Sequence, residues 1–90
     1  MASINIKEIN LSTYAVTVVS NTVTIHEVTV PLSYALSLTA SKISTEELVK
    51  NAFEFLLARE PNTSILRNFE LSKIGVYFSD FDEVMRKKIA

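Results

Sequence analysis

Along residues 4 to 30 the apolar positions recur every second residue, the period of a strand with one buried face. Ile4 and Ile6 alternate with Asn5 and Lys7. Tyr14, Val16 and Val18 share one parity, with Thr13, Ala15 and Thr17 on the other. After Ser20-Asn21-Thr22, a tight-turn candidate, Val23 and Ile25 alternate with Thr22 and Thr24. This density of valine, isoleucine and threonine suits a pleated, half-buried surface and predicts an antiparallel meander of two or three strands. The apolar phase changes after Ile25, because Val28 and Val30 have the opposite parity. A bulge near His26-Glu27, or a strand end buried on both faces, would produce that change, and a strand edge there is the first place to expect a partner.

Beyond Val30 the period lengthens to that of a helix. Pro31 donates no ladder hydrogen bond and fits a first helical turn. Leu32, Ala35, Leu36 and Leu38 then predict a short helix over about 32–39. Ser44-Thr45-Glu46-Glu47 has the form of a capping box, and Ile43 and Leu48 are spaced as a hydrophobic staple around it. Leu48, Val49, Ala52, Phe53, Leu56 and Leu57 form a wide apolar stripe, while Lys50, Asn51, Glu54 and Arg59 mark the polar face. Pro61 stops this long helix by Glu60, since the residue before proline is pushed out of the α region. Asn62-Thr63-Ser64 offers caps for a helical turn bearing Ile65, Leu66 and Phe69, and Ser72 for another bearing Ile74, Tyr77 and Phe78. Asp80 opens the last helix, with Phe81, Val84 and Met85 inward, an acidic first turn and a basic last turn matching the macrodipole. The fold class expected is α+β, a single domain over residues 1–90. An N-terminal antiparallel β-meander precedes a helical half with one long helix and shorter ones.

Composition narrows the chemistry. With 90 residues there is room for one core, and an apolar fraction of 48% against 21% charged argues for a globular chain. A net charge of −1 supplies no broad field toward nucleic acid or anionic membrane. There is no cysteine, which removes disulfides, thiolate zinc sites and cysteine nucleophiles, so stability must come from packing, including that against a partner subunit. Gly75 is the only glycine, so glycine-rich phosphate loops are absent. Left-handed turn positions are expected to fall to Asn10, Asn21, Asn62 and Asn68. The N-terminal residues lack the apolar core of a signal peptide, and no apolar run is long enough to span a membrane, which makes a cytoplasmic location the expectation.

No constellation here marks an enzyme. His26 is the only histidine; it sits beside Glu27, which points to the opposite strand face, and is read as a surface or edge-strand residue. Asp80, Asp82 and Glu83 have a sufficient explanation as helix-start acids and show no calcium-loop spacing. Arg59, Glu60 and Arg67 could meet an anion, but helix ends are commonly charged. Arg86-Lys87-Lys88 is too short for a nucleic-acid patch. Among Phe53, Phe55, Phe69, Tyr77, Phe78 and Phe81, Phe55 lies at the border of the main stripe and is the aromatic expected to be exposed, marking a protein–protein surface. No catalytic, cofactor-binding or metal-ligating residue is assigned.

Two resemblances attach to these residues. Phe53-Glu54-Phe55-Leu56-Leu57-Ala58-Arg59-Glu60-Pro61, continued by Ser64-Ile65-Leu66, Phe69-Glu70-Leu71, Ile74 and Tyr77-Phe78, resembles a group of short uncharacterised prokaryotic proteins, a likeness that implies a compact domain and no activity. Val28-Thr29-Val30-Pro31, a short helix and Ser44 to Ala52 are similar to the ribbon-helix-helix pattern of small repressors and antitoxins. That resemblance implies an intertwined dimer with strand side chains in the major groove. The ribbon positions Thr24, His26 and Thr29 include no arginine or lysine, and a strand at 13–20 would compete for pairing. The expectation that follows is a non-enzymatic domain acting through protein–protein contact as a homodimer or with another protein. DNA binding is the alternative, and no membrane partner is expected.

Overall fold

The structure, a computed structural model, describes residues 2–89. The alternating N-terminal segment forms three strands, Ser3–Asn10 (β1), Thr13–Val19 (β2) and Val23–Thr29 (β3), paired as an antiparallel meander. Asn10 makes the first turn: its side-chain oxygen accepts from the Ser12 amide at 3.0 Å, closing a turn through Leu11 and Ser12. The second turn is Ser20-Asn21-Thr22, as the sequence predicts, with Val19 opposite Val23.

That second turn sets the register of β3, and the register overturns one expectation. Thr24 lies opposite Val18, His26 opposite Val16 and Val28 opposite Tyr14, so Thr24, His26 and Val28 all face the core while Val23 and Ile25 face outward. The strand is continuous from Val23 to Thr29, and there is no bulge at His26-Glu27. The apolar phase changes because two inward positions carry polar side chains. The ladder irregularity lies elsewhere, between Glu8 and Asn10 in β1.

A fourth strand, Asn68–Glu70 (β4), pairs parallel to β3, with Val28 opposite Phe69, and completes the sheet order β1-β2-β3-β4. The sequence pattern predicts a helical turn here. Three residues with one apolar member show no period of their own, and only the neighbouring strand makes them extended. A parallel neighbour requires a crossover, supplied by Leu32–Thr39 (α1) and Thr45–Leu57 (α2). His26 and Glu27 therefore sit on an inner strand with a neighbour on each side, not at an edge.

Helix α2 begins where its chemistry requires: the Ser44 hydroxyl accepts from the Glu47 amide at 3.1 Å. Its inner face buries Leu48, Val49, Ala52, Phe53 and Leu56 in a core shared with Tyr14, Val16, Val18 and Val28 of the sheet. Phe53 is fully buried, packed between the tilted rings of His26 and Phe69. Truncating such a side chain to alanine costs about 3–5 kcal/mol. After the 3₁₀ turns Asn62–Ser64 and Leu71–Lys73 and the one-turn helix Ile74–Tyr77 (α3), Phe81–Ile89 (α4) buries Phe81 and Met85. The Tyr34 hydroxyl donates to Asp82 at 2.8 Å and ties α1 to α4. Burial and that carboxylate raise the phenol pKa well above its ordinary value. The helices' buried residues share one core with the inward face of the sheet, and the opposite face is left open.

The left-handed positions do not fall to asparagine. Ala40 (φ 48°) and Ser41 (φ 62°) take them at the end of α1, where the Ala40 amide bonds the Leu36 carbonyl and the Ser41 amide the Thr39 hydroxyl. A Cβ in this region is crowded against the following carbonyl, at roughly 1–2 kcal/mol per residue. Ala40→Gly and Ser41→Gly are therefore each expected to raise stability by about 1 kcal/mol, less the added freedom of the unfolded chain, read as a higher denaturation midpoint. Unchanged or lower midpoints for both would contradict the strain argument.

Candidate interaction surface

The sole histidine is a structural residue. His26 has no accessible surface, and its ring nitrogens lie 2.7 Å from the Leu66 carbonyl oxygen (Nδ1) and 2.9 Å from Thr24 Oγ1 (Nε2). A carbonyl only accepts, so Nδ1 carries the proton and Nε2 accepts from the Thr24 hydroxyl. The Thr24 oxygen in turn accepts from Asn62 Nδ2 at 2.9 Å, and the same amide donates to the Thr22 carbonyl. Every polar group in this buried chain is satisfied with the imidazole neutral. Burial lowers the His26 pKa; the Leu66 carbonyl opposes that shift and the Arg67 charge adds to it. The reading of His26 as a surface or edge residue is thus corrected: the core here accepts polar groups because the 62–66 loop completes their hydrogen bonds.

Phe55 is also inside rather than exposed. It meets Phe78 and Phe81 edge-on, and the Arg59 guanidinium lies 3.6 Å from its ring centroid. Arg59 further donates to the Phe55 carbonyl and pairs with Asp80 at 3.2 Å, so this cation clasps the start of α4 to the end of α2. The acidic group near the last helix is dispersed in the same way: Asp80 pairs with Arg59, Asp82 with Tyr34, and Glu83 with Lys87. Lys88 reaches Glu54 of α2. Among the described residues no cluster of three histidines and carboxylates is placed to hold a metal ion.

What the fold leaves uncovered is the other face of the sheet. Its rows follow from the strand register: Ser3, Val19 and Val23; then Asn5, Thr17 and Ile25; then Lys7, Ala15, Glu27 and Asn68. Val19, Val23 and Ile25 are 43%, 58% and 59% accessible, side by side at one end. Small and β-branched residues fill the middle of the face. Lys7 and Glu27 flank Ala15, and neither enters an ion pair among the described residues. Alternation alone gave no warning of this patch, because Val23 and Ile25 look like core positions until the β2–β3 register is known.

The sheet edges are poor templates for another strand. β1 carries Lys7, Glu8 and the irregularity between Glu8 and Asn10, while β4 is three residues long with Asn68 and Glu70 outward. The ribbon positions Val28-Thr29-Val30 have no free edge, since Thr29 pairs with both Thr13 and Glu70. Thr24 and His26 point away from solvent. A shallow apolar groove of about 300 Å³ also opens beside β4, lined by Leu56, Leu66, Phe69 and Tyr77 among others, with Glu60 and Lys73 supplying opposite charges.

The histidine makes a pH prediction. Its folded pKa is below the unfolded value, so the unfolded chain binds the extra proton and stability falls as pH drops beneath about 6.5. The slope from this one group is at most about 1.4 kcal/mol per pH unit. Between pH 6.5 and 5, above most carboxylate titration, His26→Gln is expected to flatten that dependence, and the wild-type ring resonance should titrate below 6.5. A ring titrating at or above 6.5 would contradict the assignment. Comparison of the chain with protein-family models, curated proteins and solved structures finds no match.

Proposed function

We propose that this chain is a small non-enzymatic domain that acts through protein–protein contact, forming a homodimer through the uncovered face of its sheet. The observation that carries the reading is the exposed cluster of Val19, Val23 and Ile25 on a face with few charges. Both edges of the same sheet are blunted, so the face is the surface best suited to a partner. His26, Asp80 and Asp82, side chains of the kind an enzyme would use for proton transfer, are engaged in holding the fold together. Among the described residues Lys7 is the only cation on the sheet face, which suits a protein partner better than a polyanion. Among the described residues no helix is long and apolar enough to cross a membrane.

Sedimentation across a dilution series is expected to show a concentration-dependent dimer. Ile25→Asp and Val23→Asp should each raise the dissociation constant more than about tenfold, because burying such a side chain is worth about 1.5–3 kcal/mol and a carboxylate there must be desolvated. Their monomers should melt near the wild-type midpoint, since both side chains are exposed in the single chain. A wild-type protein that remains monomeric at every concentration would overturn the homodimer.

A further inference from the structure

The distribution of charge on the open face selects one arrangement of the two copies, an inference that rests on the homodimer proposed above. Lys7 and Glu27 occupy the same row, on β1 and β3, with Ala15 of β2 between them. Two sheets packed face to face can be related by a two-fold axis running along the strands or across them. An axis across the strands keeps β1 over β1 and β3 over β3, so Lys7 and Glu27, being on different strands, never face each other and both charges stay unpaired. An axis along β2 reverses the order of the strands, laying β1 over the partner's β3. It then seats Lys7 opposite the partner's Glu27, twice by symmetry.

The remaining positions fit the same axis. Thr13, Ala15, Thr17 and Val19 of β2 lie along it, each meeting its own copy. Those beneath the long charged side chains are small, as close packing of two sheets at about 10 Å requires. Val23 and Ile25 fall over Ser3 and Asn5 of the other copy, so each apolar side chain lands on a short polar residue instead of a charge. We propose that this protein dimerises as a face-to-face sandwich about a two-fold axis along β2, registered by reciprocal Lys7–Glu27 pairs between the copies.

The test is a charge exchange read by sedimentation equilibrium. Lys7→Glu and Glu27→Lys should each weaken the dimer by roughly tenfold or more, because each places two like-charge contacts in the interface. The double variant K7E/E27K should return the dissociation constant to within about threefold of wild type. In parallel, Thr17→Cys, the sole thiol in this cysteine-free chain, should be linked to its own copy by a short bismaleimide. A dimer that survives both single reversals, or is weakened by them without rescue in the double variant, overturns the proposed axis while leaving the homodimer standing. So does a dimer in which the thiol at position 17 fails to cross-link. A wild-type chain that never dimerises removes the homodimer itself. Circular dichroism and melting of each variant separate loss of association from loss of fold.

Discussion

The register of β3 against β2 is the constraint from which the rest of the molecule follows. Side chains in a strand alternate with a period of two, so a slip of one residue would exchange the two faces entirely. The turn at Ser20-Asn21-Thr22 pairs Val19 with Val23 and thereby turns Thr24 and His26 inward. A buried hydroxyl and imidazole left without partners would cost several kcal/mol, on the order of 1–3 kcal/mol for each group. The chain returning from α2 meets that demand: Asn62 donates to Thr24, and the Leu66 carbonyl accepts from His26. The same return brings the Arg67 carbonyl to the Glu27 amide and sets Asn68–Glu70 alongside β3. The polar chain and the fourth strand are thus two parts of one fastening, and Phe53 of α2 is packed between them.

The same register decides the surface. With Thr24 and His26 inside, Val23 and Ile25 must face out, next to Val19. The buried residues of the helices share one core with the inward face of the sheet, and none of the described residues covers Val19, Val23 and Ile25. Charge and irregularity along β1, and the brevity of β4, protect the edges while leaving the face open. Elsewhere the charged side chains consolidate the fold: Arg59 stacks on Phe55 and holds Asp80, and Tyr34 holds Asp82. A reading of the protein as an association domain rests on that contrast between engaged polar groups and one unengaged face.

Some of this was legible along the chain. Ser44 and the stripe from Leu48 to Leu57 define α2 by local chemistry, a capping side chain and a 3.6-residue period, and the helix ends at Leu57, ahead of the Glu60 limit that Pro61 sets. The meander was legible from its alternation and its turn residues. His26, Phe55 and β4 were not, and each for an identifiable reason. A lone histidine reads as exposed unless its hydrogen-bond partners are known, and those of His26 come from Thr24 on its own strand and Leu66, forty residues on. Phe55 lies at the border of the stripe, and only the arrival of Phe78, Phe81 and Arg59 from later in the chain closes over it. Phe69 with two polar neighbours carries no strand period, and its extended form depends on the neighbouring strand.

Neighbours within a few residues, or composition alone, settle the succession of meander and helices, the start of the long helix, the absence of thiol chemistry and the scarcity of net charge. Packing between distant segments sets which face of β3 is buried, which polar side chains the core can satisfy, that a fourth strand exists, and which apolar residues remain in solvent. Those outcomes are set by contacts between segments about forty residues apart. Two segments can be individually compatible with either face of a sheet, and only when they meet does the hydrogen bonding of His26 and Thr24 exclude one of them.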